Sequence, residues 1–271
     1  MIAASGFSGA RFATGLLVSA AAVVVVLLVT WLVGRAIGRF NVIDVAWGLG
    51  FVAVAVVSFV WSAGHGDTTR RVLVTVLVAL WGLRLGGYLA WRSRGQGEDP
   101  RYQEIFDRST RRAAMHALLV IYPAQAAAMF FISLPVQVAM YERSGPNAWT
   151  WIATAIWAVG FGFETVGDYQ LQRFRSDPAN MGRVMDRGLW HFTRHPNYFG
   201  DACVWWGIWL IAAQSLPGVL TLLSPVAMTY TLAKGTGKPT LEKGMAERRP
   251  GYNDYVARTS GFVPLPPRAK R

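Results

Sequence analysis

The chain alternates long apolar runs with short polar segments. From Phe12 to Gly34 no charged residue occurs. Period-two alternation is absent too, which argues for helix over half-buried strand. About 20 apolar residues suffice to cross the hydrocarbon of a bilayer. On that measure seven spans are predicted, at roughly 12–34, 44–63, 72–91, 113–134, 148–168, 200–214 and 216–233. The last two are short, with Pro217 at the turn between them and Pro225 placed to kink the seventh. The first run is too long for a signal-peptide core. The expected fold is therefore all-α: a polytopic membrane protein with seven transmembrane helices.

Composition agrees. The 271 residues are 53% hydrophobic and only 15% charged, against about 25% charged in an ordinary soluble domain. The net charge is +12, but the basic residues sit between spans rather than on one soluble face, so no nucleic-acid partner is expected. Their distribution sets an orientation. Of the 27 Lys and Arg residues, the alternate loops on one side hold only Arg11, Arg70, Arg71 and Arg143, and Arg84 lies within a span. All the others fall in segments predicted to be cytoplasmic, which puts the N-terminus outside and the C-terminus inside. The long polar segments 92–112, 169–199 and 234–271 then share the cytoplasmic side. The single cysteine, Cys203, excludes an internal disulfide and a multi-cysteine zinc site. The four histidines form no HExxH or paired spacing, so no metal is expected.

Several polar residues fall where lipid should be. Asp44 opens the second span in NVIDVAWG, with Trp47 one turn on. An interfacial helix cap accounts for that pair as readily as a functional site does. Arg84 lies two turns inside Arg92, and Tyr88 shares its face at i+4. Intramembrane charges are costly and usually face a bundle interior. Gly86 and Gly87 permit close approach by another helix or a ligand. In the fourth span Tyr122 and Gln125 make an inward polar stripe. Glu164, Asp168 and Arg175 share one face of the fifth, where surface ion pairs on a soluble extension are the plainer reading.

No G-x-G-x-x-G, P-loop or Gly-x-Ser-x-Gly signature is present. Two segments are nonetheless dense in phosphate-capable groups. The first holds Arg173, Arg175, Asn180, Arg183, Arg194, His195, Asn197 and Tyr198; the second holds Lys234, Lys238, Arg248, Arg249, Tyr252 and Tyr255. Arg forks match phosphate geometry and Lys supplies point charge. Anionic lipid headgroups would attract the same cations. The interleaved Asp, Glu, Asn and Tyr suit ribose and base better.

GLWHFTRHPNYFGD, residues 188–201, followed by a tryptophan-rich apolar helix, resembles the C-terminal half of the steroid 5-alpha-reductase family, and most closely its bacterial branch. The likeness runs from about Glu164 to Pro264 and continues more thinly through DVAWG and RLGGYLAWRSRG. The RHPNY core is also similar to isoprenylcysteine carboxyl methyltransferases and bacterial phospholipid methyltransferases. The resemblance implies a seven-helix fold in the bacterial inner membrane that binds NADPH from the cytoplasmic side. It implies substrate-side helices over 1–147 and a cofactor-binding part over 148–271. Asp168, Arg175, Arg183 and Asn197 align with family positions that hold the dinucleotide. Glu164 stands where the mammalian enzymes carry asparagine. Lys234, Lys238 and Glu242 stand where they carry arginine, histidine and tyrosine. Tyr88 matches the catalytic tyrosine, and Asp44 is the candidate for its partner carboxyl.

The implied reaction reduces a 4-ene-3-oxosteroid or similar enone lipid, taken from the membrane. Negative charge builds on the carbonyl oxygen, and Tyr88, with a natural pKa near 10, can donate to it. Asp44 would orient that hydroxyl, with Trp47, Arg84, Tyr122 and Gln125 around the substrate. No protein partner is implied. The alternative is an S-adenosylmethionine-dependent lipid or isoprenylcysteine-type methyltransferase.

Overall fold

A computed structural model describes residues 9–268, so the last three residues of the 234–271 segment lie outside the described ones. Along the chain the helices are α1 (Gly9–Ile37), α2 (Ile43–Trp61), α3 (Thr68–Arg92), α4 (Pro100–Asp107), α5 (Ala113–His116), α6 (Tyr122–Ile132), α7 (Leu134–Ala139), α8 (Ala148–Ser176), α9 (Leu189–Phe192), α10 (Pro196–Ala212), α11 (Leu216–Val219), α12 (Leu223–Ala233), α13 (Lys238–Glu242), α14 (Met245–Arg248) and α15 (Tyr252–Arg258). Among the described residues the sole extended pairing is an isolated parallel bridge between Thr193 and Ser260.

Among the described residues five helical stretches are long and apolar enough to cross a membrane: Gly9–Ile37, Ile43–Trp61, Thr68–Arg92, Ala113–Ala139 and Leu216–Arg248. Two of the seven predicted spans are not among them. α8 reaches about 43 Å at 1.5 Å per residue, but its last turns carry Glu164, Asp168, Arg173 and Arg175. α10 has only 17 residues. Large apolar side chains such as Leu17, Val25, Leu32, Val60 and Leu83 lie exposed, as expected for surfaces that meet lipid rather than water.

The chain divides into two compact units. The first comprises residues 1–146 and 212–224, the second residues 147–211 and 225–271. In the first, α1 and α2 run antiparallel, with Ser19 Oγ and Ser58 Oγ 3.1 Å apart in the buried seam. α2 and α3 cross at glycines. A Cβ on Gly48 would sit on the Gly82 carbonyl and 2.9 Å from the Gly86 nitrogen; one on Gly82 would sit 2.5 Å from the Gly48 oxygen. The GLRLG run of α3, residues 82–86, is thus a small-xxx-small contact of the kind that joins membrane helices. Gly87, by contrast, has no atom within 4 Å of where a Cβ would be.

Arg70 and Arg71, read from the sequence as loop cations, belong to the first turn of α3 and are buried. Backbone and side-chain oxygens surround them. Arg70 Nε donates to the Ser144 carbonyl at 2.9 Å and its Nη2 to Gln214 Oε1 at 3.2 Å. Arg71 Nε donates to Ser62 Oγ at 2.9 Å. A π-helical turn, Ala117–Ile121, joins α5 to α6. Pro123 explains it: proline lacks an N–H and clashes with the carbonyl four residues back, and a π turn relieves both.

The second unit repeats the small-residue device. α8 and α10 are antiparallel, with Gly160 against Gly200, Cys203 and Val204, and Gly207 against Ala153 and Trp157. Asn147 and Thr150 form a capping box at the start of α8. Pro225 falls in the first turn of α12, directly after a 3-10 turn at Leu220–Leu222.

These contacts generate a matched pair of substitutions. Gly48→Ala places a methyl group on a backbone carbonyl and must part α2 from α3, at a cost of roughly 1–3 kcal/mol. Gly87→Ala, on α3 next to Gly86 but in open space, is expected to be neutral or mildly stabilising. Thermal unfolding of the purified protein in detergent separates the two. Equal Tm values for the variants would overturn the close crossing.

Candidate functional site

Each unit holds a polar cluster at the entrance of a long helix. In the first it lies where α2 begins. The backbone N–H groups of Phe40 and Asn41 donate to the Glu98 carboxylate at 2.5 and 2.9 Å, and Arg39 Nη1 donates to the carbonyls of Ser93 and Gln96. The loop after α3 is thereby tied to the entrance of α2. α4 follows, started by Asp99 as its N-cap and Pro100 in its first turn. Its inner face carries Tyr102 and Phe106, four residues apart and both buried.

Asp44 receives this helix. Tyr102 OH donates to Asp44 Oδ1 at 2.7 Å, and Arg101 Nη2 to Asp44 Oδ2 at 3.1 Å. The phenol held by Asp44 is thus Tyr102, where the sequence reading paired Asp44 with Tyr88. Burial first, and then the Asp44 carboxylate, push the Tyr102 phenol well above its usual range, so it stays protonated. Burial raises the Asp99 acid, but hydrogen bonds from Arg101 outweigh it and hold Asp99 below its ordinary value. DPRYQEIFD carried a readable signal, an Asp-Pro helix start with aromatics at i and i+4. The helix itself was missed because 92–112 scans as one polar segment.

Tyr88 sits among cations. The Arg84 guanidinium carbon is 5.4 Å and that of Arg92 5.5 Å from its ring centroid, and Trp91 packs at 6.3 Å. Arg92 also lies within electrostatic range of Asp99. Further along α2, Trp47 Nε1 donates to Gln125 Oε1 of α6 at 2.7 Å. The buried Tyr122 hydroxyl donates to the Phe40 carbonyl at 3.3 Å. The structure therefore gathers Asp44, Trp47, Tyr122 and Gln125 along facing sides of α2 and α6.

The second cluster forms where α10 begins. Glu164 and Asp168, one turn apart on α8, are 3% and 4% exposed. Asn197 Nδ2 donates to Asp168 Oδ1 at 3.1 Å, while the buried Asn197 Oδ1 has no partner among the described residues. Gly167 makes room for Pro196 and Asn197 at 3.1–3.2 Å. Beside them Glu242 of α13 accepts from Arg194 Nε at 2.8 Å and lies 3.0 Å from His195 Nε2. Arg194 Nη1 donates to the carbonyls of Thr259 at 2.6 Å and Val256 at 3.3 Å. Lys238 Nζ crowds Gly261 beside the Arg194 guanidinium. Arg194 is thus engaged inside the protein, binding α13 and the segment after α15 to the start of α10.

Burial lowers the His195 pKa, and Arg194 and Lys238 add to that against the opposing pull of Glu242, so the ring is neutral near pH 7. A carboxylate only accepts, so Nε2 carries the proton. The ring stacks on Tyr198 at 5.4 Å. Burial and then the charge of Glu242 push Tyr252 up to about 12. Tyr255 OH donates to the Trp190 carbonyl at 2.5 Å.

The other predicted cofactor residues scatter. Asn180 closes a turn through the Phe174 carbonyl. Arg248 folds back onto the carbonyls of Gly244 and Lys243. Arg175 ends α8 and Lys234 follows α12. Arg183 and Tyr255 line one open cleft of about 560 Å³ with Asp186, Asp254 and Arg258. Arg249 donates to the Arg183 carbonyl across its rim. The Asp186–Arg258 ion pair in that cleft had no readable signal, since its partners are far apart in sequence.

Glu242→Ala would leave the Arg194 guanidinium without its carboxylate and the His195 Nε2–H without its acceptor, and is expected to cost about 3 kcal/mol, read as a fall in Tm. Neutral His195 also fixes a sign. Its folded pKa lies below the reference 6.5, so the unfolded chain takes up the proton first. Stability is therefore full above pH 6.5 and declines as pH falls below it. His195→Gln should flatten that decline below pH 6.5 in a Tm-against-pH series.

Comparison with known proteins comes to the same chain from outside. The chain is similar to the "Uncharacterized protein C594.04c" of Schizosaccharomyces pombe, 24% identical over 282 residues, covering 89% of this chain and 79% of that protein. No solved structure gives a significant match. Residues 30–259, most of the chain and both polar clusters, match a family described as "Protein of unknown function (DUF1295)". This membrane-helical chain belongs to the DUF1295 family.

Proposed function

We propose that the protein is an NADPH-dependent membrane reductase of an enone lipid, of the steroid 5-alpha-reductase type. The reading includes seven spans with the N-terminus outside, α8 and α10 completing the set, and cationic loops at the cytoplasmic face of a bacterial cell membrane. One observation carries it: a phenol, Tyr88, held between two guanidinium groups on a helix otherwise suited to lipid. Reduction of an enone builds negative charge on the carbonyl oxygen. Donors and cations fixed in advance around that oxygen stabilise the transition state more than the ground state.

The second cluster fits a dinucleotide in part. Asp168 and the unmet Asn197 Oδ1 are acceptors for a sugar hydroxyl or a carboxamide N–H. Lys238 and Lys234 supply charge suited to phosphate, whereas Arg194 is taken up internally. Bound there, NADPH would supply the hydride, which no side chain can. The chain's own groups then do the rest. Tyr88 donates a hydrogen bond to the developing oxyanion, with Arg84 and Arg92 offsetting the charge. Asp44, fixed by Tyr102 and Arg101, holds α4 against this end of the unit. The apolar surfaces of α1 to α3 keep water away.

Titration of the purified protein with NADPH and with S-adenosylmethionine separates the reductase from a methyltransferase. Membranes incubated with NADPH and a panel of 4-ene-3-ketosteroids should yield the saturated ketone. Tyr88→Phe should lower turnover about 100-fold or more while leaving NADPH affinity unchanged. Tight binding of S-adenosylmethionine alone, or full turnover by the Phe variant, would sink the reading.

A further inference from the structure

The Gln125 side chain is oriented by its neighbour. Trp47 Nε1 lies 2.7 Å from Gln125 Oε1. An indole nitrogen can only donate, so Gln125 must turn its oxygen to Trp47. The amide nitrogen, with two N–H donors, is then directed away. Among the described residues the Trp47 contact is the one hydrogen bond recorded for this side chain.

The position makes those donors informative. Gln125 lies well inside the apolar stretch Ala113–Ala139. Hydrocarbon contains no water to satisfy an amide, and an unmet N–H there is costly. The anchor is also stiff. Trp47 packs on Phe51 at 5.7 Å, and Phe51 packs edge-on against Trp81 at 5.5 Å. Phe51 and Trp81 are 1% and 0% exposed. On one side, the neighbouring turns of α2 and α6 carry Asp44 and Tyr122. On the other, Gly50 meets Met129. The amide thus stands at the boundary between a polar end and an apolar run, with its acceptor atom used and its donors open.

We propose that the Gln125 amide recognises the carbonyl oxygen of a neutral, largely apolar molecule, with Trp47 acting as the positioning residue. A cation offers no acceptor, and a phosphate would carry its charge into hydrocarbon, so both are the wrong partners. A ketone or ester oxygen is the right one. This deepens the reductase reading and rests on it for the choice of an enone as probe.

The test uses the full chain in nanodiscs of ether-linked lipid, which lack ester carbonyls. Probes are a 4-ene-3-ketosteroid, carbon-13 labelled at the carbonyl, and the same hydrocarbon without the ketone. Wild type should bind the ketone about tenfold more tightly than the hydrocarbon and shift the labelled C=O stretch to lower frequency. Gln125→Leu should lose most of both effects, leaving only the part that the Tyr88 hydroxyl supplies. Gln125→Met keeps nearly the same length and shape but has no donor; it should hold the hydrocarbon normally and lose the ketone preference. A preference seen in ether-lipid discs but weakened in ester-lipid discs supports the same donor, with bilayer carbonyls as competing source. The inference is overturned by a wild type that does not prefer the ketone. Variants that keep the preference, or that lose ketone and hydrocarbon alike, overturn it too. NADPH-dependent product formation is scored separately. Ketone recognition through Gln125 without any product would remove the reductase reading and leave this inference standing.

Discussion

Close backbone approach at glycine is the contact on which the molecule depends. Between helices in lipid there is little hydrophobic gain from association, because the tails are as apolar as the side chains. What remains is tight van der Waals packing, and that needs small residues. Gly48, Gly82 and Gly86 supply it between α2 and α3; Gly160, Gly200 and Gly207 supply it between α8 and α10. Each polar cluster is built beside such a crossing. Arg84 and Tyr88 flank Gly86, Asp44 and Trp47 precede Gly48, and Glu164 and Asp168 follow Gly160 along α8. A side chain at any of these seams would move the polar groups as well as the helices.

Charge is handled by a second rule, seen where partners are given: a buried or half-buried ion is met by groups of opposite polarity. Arg70 and Arg71 are wrapped in oxygens. Asp44 is met by Tyr102 and Arg101. Glu242 is shared between Arg194 and His195. Truncating one member of such a group leaves the other buried and uncompensated, which costs more than the pair itself contributes. The result is a distinction between polar groups that are used up and those that are open. Arg194 belongs to the first kind. The Asn197 Oδ1 acceptor and the Gln125 amide nitrogen belong to the second. Open groups are the better guide to a ligand, because nothing inside the protein explains them.

Much was legible from the residues in order. Apolar runs with at most one charge marked α1, α2 and α3 to within a few residues, because hydrocarbon thickness sets a length that hydropathy alone can meet. The tryptophan-rich segment after RHPNY was legible as a helix from its apolar run, although its 17 residues fall short of that length. Asp44, Arg84 and Tyr88 stood out because polar groups are rare inside such runs. α8 was read as a shorter span, since its polar last turns break the apolar pattern while the backbone hydrogen bonds continue unbroken.

Pairing was not legible, and tertiary structure alone decided it. Asp44 meets Tyr102 because the loop after α3 is clamped by Arg39 and Glu98, which swings α4 back over the start of α2. Arg194 meets Glu242 and the Thr259 carbonyl because two segments distant in sequence return to the start of α10. Trp47 meets Gln125 because a π turn ahead of Pro123 sets the rotation of α6. Burial is additive along a chain and can be read one residue at a time. Which donor reaches which acceptor depends on loop paths and helix rotations of a few ångströms, and those are set only when the whole unit packs.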